Sequence, residues 1–232
     1  MLILALDSTA VVASVALCRD ETPIAAFTVK NGNTHSETLL PMVESILKTA
    51  GYTVDDVDLF ACSVGPGSFT GVRIGVSTVK GLAFGRNKPC VAVSTLEALA
   101  ENLIPAAGLL CPVMNARRGQ VYNALFRYEN GALHRLCEDR ALAATELEAE
   151  LLGMNEPVTF SGDGVGEIKR LCHDIEMSKV SDYLIDQNAV SVAKCALRAY
   201  QSGAFCTDAE LSPVYLRLPQ AERERLAKQN NA

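Results

Sequence analysis

Leu59-Phe-Ala-Cys-Ser-Val64, then Gly65-Pro-Gly-Ser-Phe-Thr-Gly71, then Val72-Arg-Ile-Gly-Val-Ser-Thr-Val-Lys-Gly-Leu-Ala-Phe84 form three successive signals: a continuous apolar run, a glycine-rich corner and a helical stretch closed by Gly85. Together they predict strand, tight loop and helix. Cys90 to Val93 supplies the next strand, and Ser94 or Thr95 offers the cap of a helix reaching about Asn102. The segment therefore consists of β-α units. Upstream, the short apolar runs Leu2 to Leu6, Ala13 to Cys18 and Pro23 to Val29 predict a meander of three strands. A helix over 36–50 follows, with Thr34 and Ser36 as candidate caps, apolar residues at Leu39, Leu40, Val43, Ile46, Leu47 and Ala50, and Gly51 at the stop position.

Downstream of a boundary at Pro105 to Gly108 the pattern repeats. Leu109 to Met114, Val121 to Tyr128 after the polar turn Asn115 to Gln120, and Leu133 to Leu136 read as strands. Thr145 caps a helix over Glu146 to Leu152, Val158 to Ser161 is a strand before Gly162-Asp-Gly164, and Asn188 to Tyr200 is a helix. Two halves that both open with antiparallel strands and continue into β-α units predict a duplicated α/β architecture: 1–105, 106–218 and a polar tail over 219–232.

At 232 residues and 49% hydrophobic content the chain can bury its own core. Its 21 Lys and Arg against 27 Asp and Glu leave a net charge of -6, so it carries no overall footprint for a polyphosphate partner, and any nucleic-acid contact must be local or made by another subunit. The eight cysteines are scattered singly without CxxC spacing and read as buried thiols of a reducing compartment. The apolar run after Met1 is too short for a signal peptide or a membrane span, which predicts a cytoplasmic protein.

Several motifs carry chemistry only conditionally. The run Gly65 to Gly75 permits close backbone approach and suits either an anion at a helix start or a tight strand-to-helix corner, but its spacing fits neither a Walker loop nor GxGxxG. Within the following helix Gly71, Gly75 and Thr78 fall on one stripe, and Gly81 and Gly85 continue the four-residue spacing. Interior glycine costs about 1 kcal/mol against alanine, so the stripe needs a compensating contact. That contact is either another polypeptide, met together with Leu39, Leu40 and Val43 of the preceding helix, or the chain's own sheet. Asp7-Ser8-Thr9 suits either a hydrated metal and phosphate or an ordinary turn. His35 lacks a second histidine four residues on, where Leu39 stands, and His134 and His173 are isolated, so no metal site is expected. No Gly-x-Ser-x-Gly occurs, and Arg117 and Arg118 suit an acidic ligand or solvent.

The run Ser63 to Gly75, continued by Lys80-Gly-Leu-Ala83 and Val93-Ser-Thr-Leu-Glu-Ala-Leu99, resembles the bacterial TsaB family, also called YeaZ. Leu4 to Ser8, His35-Ser-Glu37, Ala116-Arg-Arg-Gly119 with Val121-Tyr122, Gly162-Asp-Gly164 and Tyr215-Leu-Arg217 resemble further landmarks of that family in the same order. Asn115 departs from it, since the family usually carries Asp there. The resemblance implies an actin-like ATPase (ribonuclease H-like) fold and a noncatalytic part in forming N6-threonylcarbamoyladenosine at position 37 of tRNAs reading codons that start with A. It implies TsaD as heterodimer partner, TsaE bound through that pair, tRNA met only through the complex, no membrane, and a homodimer when alone. The helices over 36–50 and 71–84 would form the contact surface, with Leu39, Leu40, Val43, Gly71, Gly75 and Thr78 in it. No intrinsic cofactor is implied; ATP or ADP would sit at or near the partner junction, with Asp7, Ser8, Gly65 and Gly67 as candidate contacts. Two other functions compete: an independent actin-fold phosphotransferase using Asp7 and the glycine loop, and a peptidase acting on its partner, which the missing metal pair disfavours.

Overall fold

A computed structural model of the chain describes residues 1–217. Strand β1 (Leu2–Asp7) pairs antiparallel with β2 (Ala13–Arg19), which pairs with β3 (Thr22–Val29). After helix α1 (His35–Ala50), β4 (Leu59–Gly65) joins the other side of β1 in parallel; after α2 (Phe69–Ala83), β5 (Cys90–Ser94) extends the sheet to the order β3-β2-β1-β4-β5. Alternation along β1 fixes its two faces. Leu2, Leu4 and Leu6 pack with α1 and α2, whereas Ile3 and Ala5 pack on the opposite side.

The chain then passes through α3 (Thr95–Glu101) into a second sheet. Strand β6 (Leu109–Arg117) pairs antiparallel with both β7 (Gln120–Asn123) and β8 (Phe126–Glu129), in one continuous register from Val113↔Asn123 to Leu109↔Arg127. These two strands are thus one strand interrupted at Ala124 and Leu125, and β9 (Ala132–Arg135) and β10 (Arg140–Ala143) flank them in the same way. After α4 (Ala144–Met154), β11 (Val158–Ser161) lies parallel to β6. The second sheet therefore repeats the first through its fourth strand. The fifth is reduced to a single parallel bridge between Val158 and Met177, beyond α5 (Val165–Leu171). Two units of this ribonuclease H-like topology make the actin-like ATPase fold.

Helices α4 and α5 cover one face of the second sheet, and α3 covers the other through Leu96 and Leu99, joined by Leu103 just past its end. The final helix, α6 (Ala189–Gln201), crosses back and buries Ala189, Val192, Ala193 and Ala196 on the first sheet. Glu101 of α3, almost fully buried, ties the two helices by accepting from Arg198 (2.7 Å). The sequence division placed α6 with residues 106–218, but by packing it completes the first half; the predicted tail over 219–232 lies outside the described residues. Asn188 caps α6, its Oδ1 accepting from the Val190 amide (2.9 Å). Asn188→Ala should lower the unfolding free energy by about 1 kcal/mol, read by urea titration.

Three local readings are corrected. Helix α2 begins at Phe69 rather than in the seventies, because Ser68 Oγ accepts from Gly71 N (3.3 Å) and draws the loop into the first turn. The expected polar turn over Asn115 to Gln120 is strand except at Arg118 and Gly119. Strand β10 and helix α5 had no counterpart in the sequence reading. No helix of the described residues is long and apolar enough to cross a membrane, and six of the eight cysteines are buried thiols.

Candidate functional site

At the end of β1 the Asp7 carboxylate is buried and fully engaged. Its Oδ1 accepts from Thr9 N (2.9 Å) and Thr9 Oγ1 (2.7 Å), and its Oδ2 accepts from Ser63 Oγ (2.6 Å). Burial pushes the carboxyl above the usual aspartate range, and these hydrogen bonds only partly offset it. Ser8 Oγ donates to the Gly71 carbonyl (2.9 Å). A Cβ at Gly71 would strike the Ser8 carbonyl oxygen, and one at Gly75 would lie 2.6 Å from Ser8 Oγ. The glycine loop is filled in the same way: a Cβ at Gly67 would strike the Thr9 carbonyl, and one at Gly65 (φ 123°) the Val214 carbonyl. Ser68 N donates to Thr9 O (2.7 Å) and Val214 N to Val64 O (2.8 Å). The expected nucleotide set of Asp7, Ser8, Gly65 and Gly67 is therefore a socket for the chain's own β1–β2 turn and C-terminal segment, and these glycines form no open phosphate cradle.

The expected partner surface divides for the same reason. Leu39 and Val43 are buried against the first sheet, and Gly71 and Gly75 face Ser8. None of the four is accessible to another molecule. Leu40 (46% exposed) and the half-buried Thr78 remain at the surface. Helix α2 exposes Arg73, Ser77 and Gly81, followed by its C-cap Phe84, spaced three or four residues apart; Phe84 is 76% exposed and a Cβ at Gly81 would meet nothing within 4 Å. His35 is a latch: its Nε2–H donates to the Ala10 carbonyl (2.7 Å), and Leu39 one turn on is core.

Between the halves lies a cavity of about 570 Å³, bordered by Thr9, Gly67, Asn115, Asp163, Tyr122 and the segment from Val214 to Arg217. Of the four expected nucleotide contacts only Gly67 borders it. In the second half the acid is Asp163 rather than residue 115: its Oδ1 accepts from Asn115 N (3.0 Å), and Asn115 Oδ1 accepts from Arg117 N (2.8 Å). Asp163 is open to solvent at the cleft edge, yet the protein packed around it raises its carboxyl, opposed by that amide and by the charge of Arg117. Arg117 and Arg118 take left-handed φ of 67° and 57° and are exposed at the turn. Across the mouth, Phe69 and Tyr215 stack at 4.6 Å, with the Arg73 guanidinium 3.9 Å from the Phe69 ring centre and donating to Tyr215 Oη (2.8 Å). Arg217 donates to the Ala116 carbonyl (3.1 Å). No stretch of sequence reveals this cavity, because its walls come from segments as far apart as Thr9 and Arg217.

Comparison with known proteins places these features in a lineage. Residues 30–223 match the family described as TsaD, tRNA N6-adenosine threonylcarbamoyltransferase. The chain is 34% identical over 229 residues to the tRNA threonylcarbamoyladenosine biosynthesis protein TsaB of Bacillus subtilis, spanning 99% of this chain and 100% of that protein. It is 42% identical over 137 residues to the TsaB of Escherichia coli, 58% of this chain and 59% of that one. The solved structure of YeaZ from Pseudomonas aeruginosa superposes with a TM-score of 0.79 at 28% identity, covering 93% of this chain and 99% of that one.

Proposed function

The chain belongs to the TsaB family and has a part in tRNA threonylcarbamoyladenosine biosynthesis, and from that premise we propose that it is a noncatalytic subunit that binds and supports TsaD, with TsaE joining through that pair. TsaD performs the transfer at position 37 of the tRNA, and this chain holds it in its working state in the cytoplasm. Any ATP or ADP sits at or near the junction of the two proteins. The observation that carries the reading is the outer face of α1 and α2. Phe84 presents an exposed apolar side chain beside Ser77 and Gly81, whose small size lets another helix approach closely, and Leu40 exposes another on α1. In the absence of TsaD the same face pairs with its own copy in an isologous dimer.

No specific observation favours the two enzymatic alternatives. Asp7 is sealed by Thr9 and Ser63, away from the cavity that a phosphotransferase would use. A metallopeptidase would need a ligand where Leu39 is core.

The test is assembly. Mixed with TsaD from the same cell, the chain should elute as a heterodimer by light scattering, and Ser77→Arg with Gly81→Arg should weaken that complex at least roughly a hundredfold by placing two charges in its dry centre. Because both positions are exposed, the melting temperature of the isolated chain should stay within about two degrees. A double variant that still assembles with unchanged affinity removes this face from the interface.

A further inference from the structure

Arg19, Arg73, Arg117, Arg118 and Arg217 are the arginines among the described residues that make no ion pair, whereas Arg86, Arg127, Arg135, Arg140, Arg170 and Arg198 each have a carboxylate partner. Two of the five unpaired ones, Arg117 and Arg217, line the cavity between the halves, Arg73 lies against its aromatic wall, and Arg118 follows Arg117 in the exposed turn. In a chain of net charge -6 this is a local reversal of sign. It is joined to an aromatic platform, the Phe69–Tyr215 stack with Arg73 lying over it. Guanidinium groups supply charge-assisted hydrogen bonds to phosphate, and an exposed aromatic face accepts an unstacked base. The Asp163 carboxylate in the same cavity is engaged by the Asn115 amide and faces Arg117, so the free charge at the mouth is positive.

From this juxtaposition we propose that the mouth of the cleft contacts RNA directly, with Arg117, Arg118 and Arg217 on the phosphodiester backbone and the Phe69–Tyr215 pair under an unpaired base. This goes beyond a supporting role confined to TsaD and rests on the membership of a tRNA-modifying complex proposed above. The chain then serves as a second wall of the RNA-binding surface.

The experiment uses the full chain assembled with TsaD, and fluorescence anisotropy of a labelled tRNA and of an unstructured twelve-nucleotide RNA. Arg117→Asn with Arg118→Asn keeps residues that tolerate left-handed φ, so the turn is retained. This double variant should weaken RNA binding roughly tenfold at low salt and reduce the slope of log affinity against log salt by about 0.7 for each phosphate that is no longer neutralised. Tyr215→Ala should weaken binding of the twelve-mer roughly tenfold, and Arg19→Ala, the loss of one positive charge elsewhere, should change neither. Unaltered affinity in both cleft variants overturns the inference while leaving the supporting role intact. Displacement of the RNA by stoichiometric ADP also overturns it, in favour of a mononucleotide pocket. If no complex with TsaD forms, the supporting role itself fails, and the same variants measured on the isolated chain still decide whether the cleft holds RNA.

Discussion

Gly71→Ala should lower the unfolding free energy by about 3 kcal/mol, a large effect for one added methyl group. The new Cβ would overlap the Ser8 carbonyl oxygen. That backbone has nowhere to go: Ser8 Oγ is bound to the Gly71 carbonyl, and the next residue's carbonyl accepts from Ser68 N. Relief would require α2 to lift from the sheet, exposing Val72, Val76 and Val79. Gly75→Leu should act in the same way through Ser8 Oγ, and neither variant should lose partner binding selectively. Urea unfolding of the isolated chain is the measurement. A Gly71→Ala or Gly75→Leu chain with wild-type midpoint that has lost only its affinity for TsaD would show that the glycine face points outward.

Asp7→Ala should cost about 3 kcal/mol as well. It strands the Thr9 amide, the Thr9 hydroxyl and the Ser63 hydroxyl inside the protein, where each orphaned donor costs about 1–3 kcal/mol, less than additively because the hydroxyls can turn. Asp7→Asn keeps an acceptor oxygen and should cost about 1 kcal/mol. Its pH dependence is more telling. Burial raises the folded carboxyl above its unfolded value, so from about pH 4 upward the folded chain holds a proton that the unfolded chain has given up. This contribution is fully present below the unfolded value and is lost as pH rises through the folded one. The stability gap between wild type and Asp7→Asn should therefore be widest near pH 4 and narrow toward neutrality. Taking the difference cancels Asp56, Glu167 and Glu210, whose carboxyls are lowered and slope the other way. A gap that widens with pH would mean that the ionised form is the stabilised one. Calorimetric binding of magnesium-ATP by the isolated chain, abolished in Asp7→Asn, would revive the phosphotransferase.

Much of the first half was legible because its signals are local. The continuous run Leu2 to Leu6 announces a strand buried on both faces, and the glycine corner before Val72 announces a strand-to-helix turn. The phase of α2 was not legible. Both of its sides carry small residues, Gly71 and Gly75 on one, Ser77 and Gly81 on the other. What decides between them is Ser8, 63 residues earlier than Gly71. In the second half β10 was missed because Arg140-Ala-Leu-Ala143 is too short and mixed to show a period of two. Helix α5 was missed because only Val165 and Ile168 mark its buried side. The cleft escaped entirely, since no window of sequence contains Thr9, Asp163 and Tyr215 together. At Asn115, where the sequence departs from the pattern it resembles, the nearest carboxylate is that of Asp163 from the same half, which accepts from the Asn115 amide.

The return of α6 to the first sheet bears on how the protein is made. On the ribosome, Ile3, Ala5, Leu59 and Val91 emerge long before Val192 and Ala196, which cover them. At translation speeds of about 5–20 residues per second the nascent first half waits several seconds with that side bare. It is during this interval that a holdase would find its handle, and a message cut short before codon 189 would release a product with no lid for that face of the first sheet.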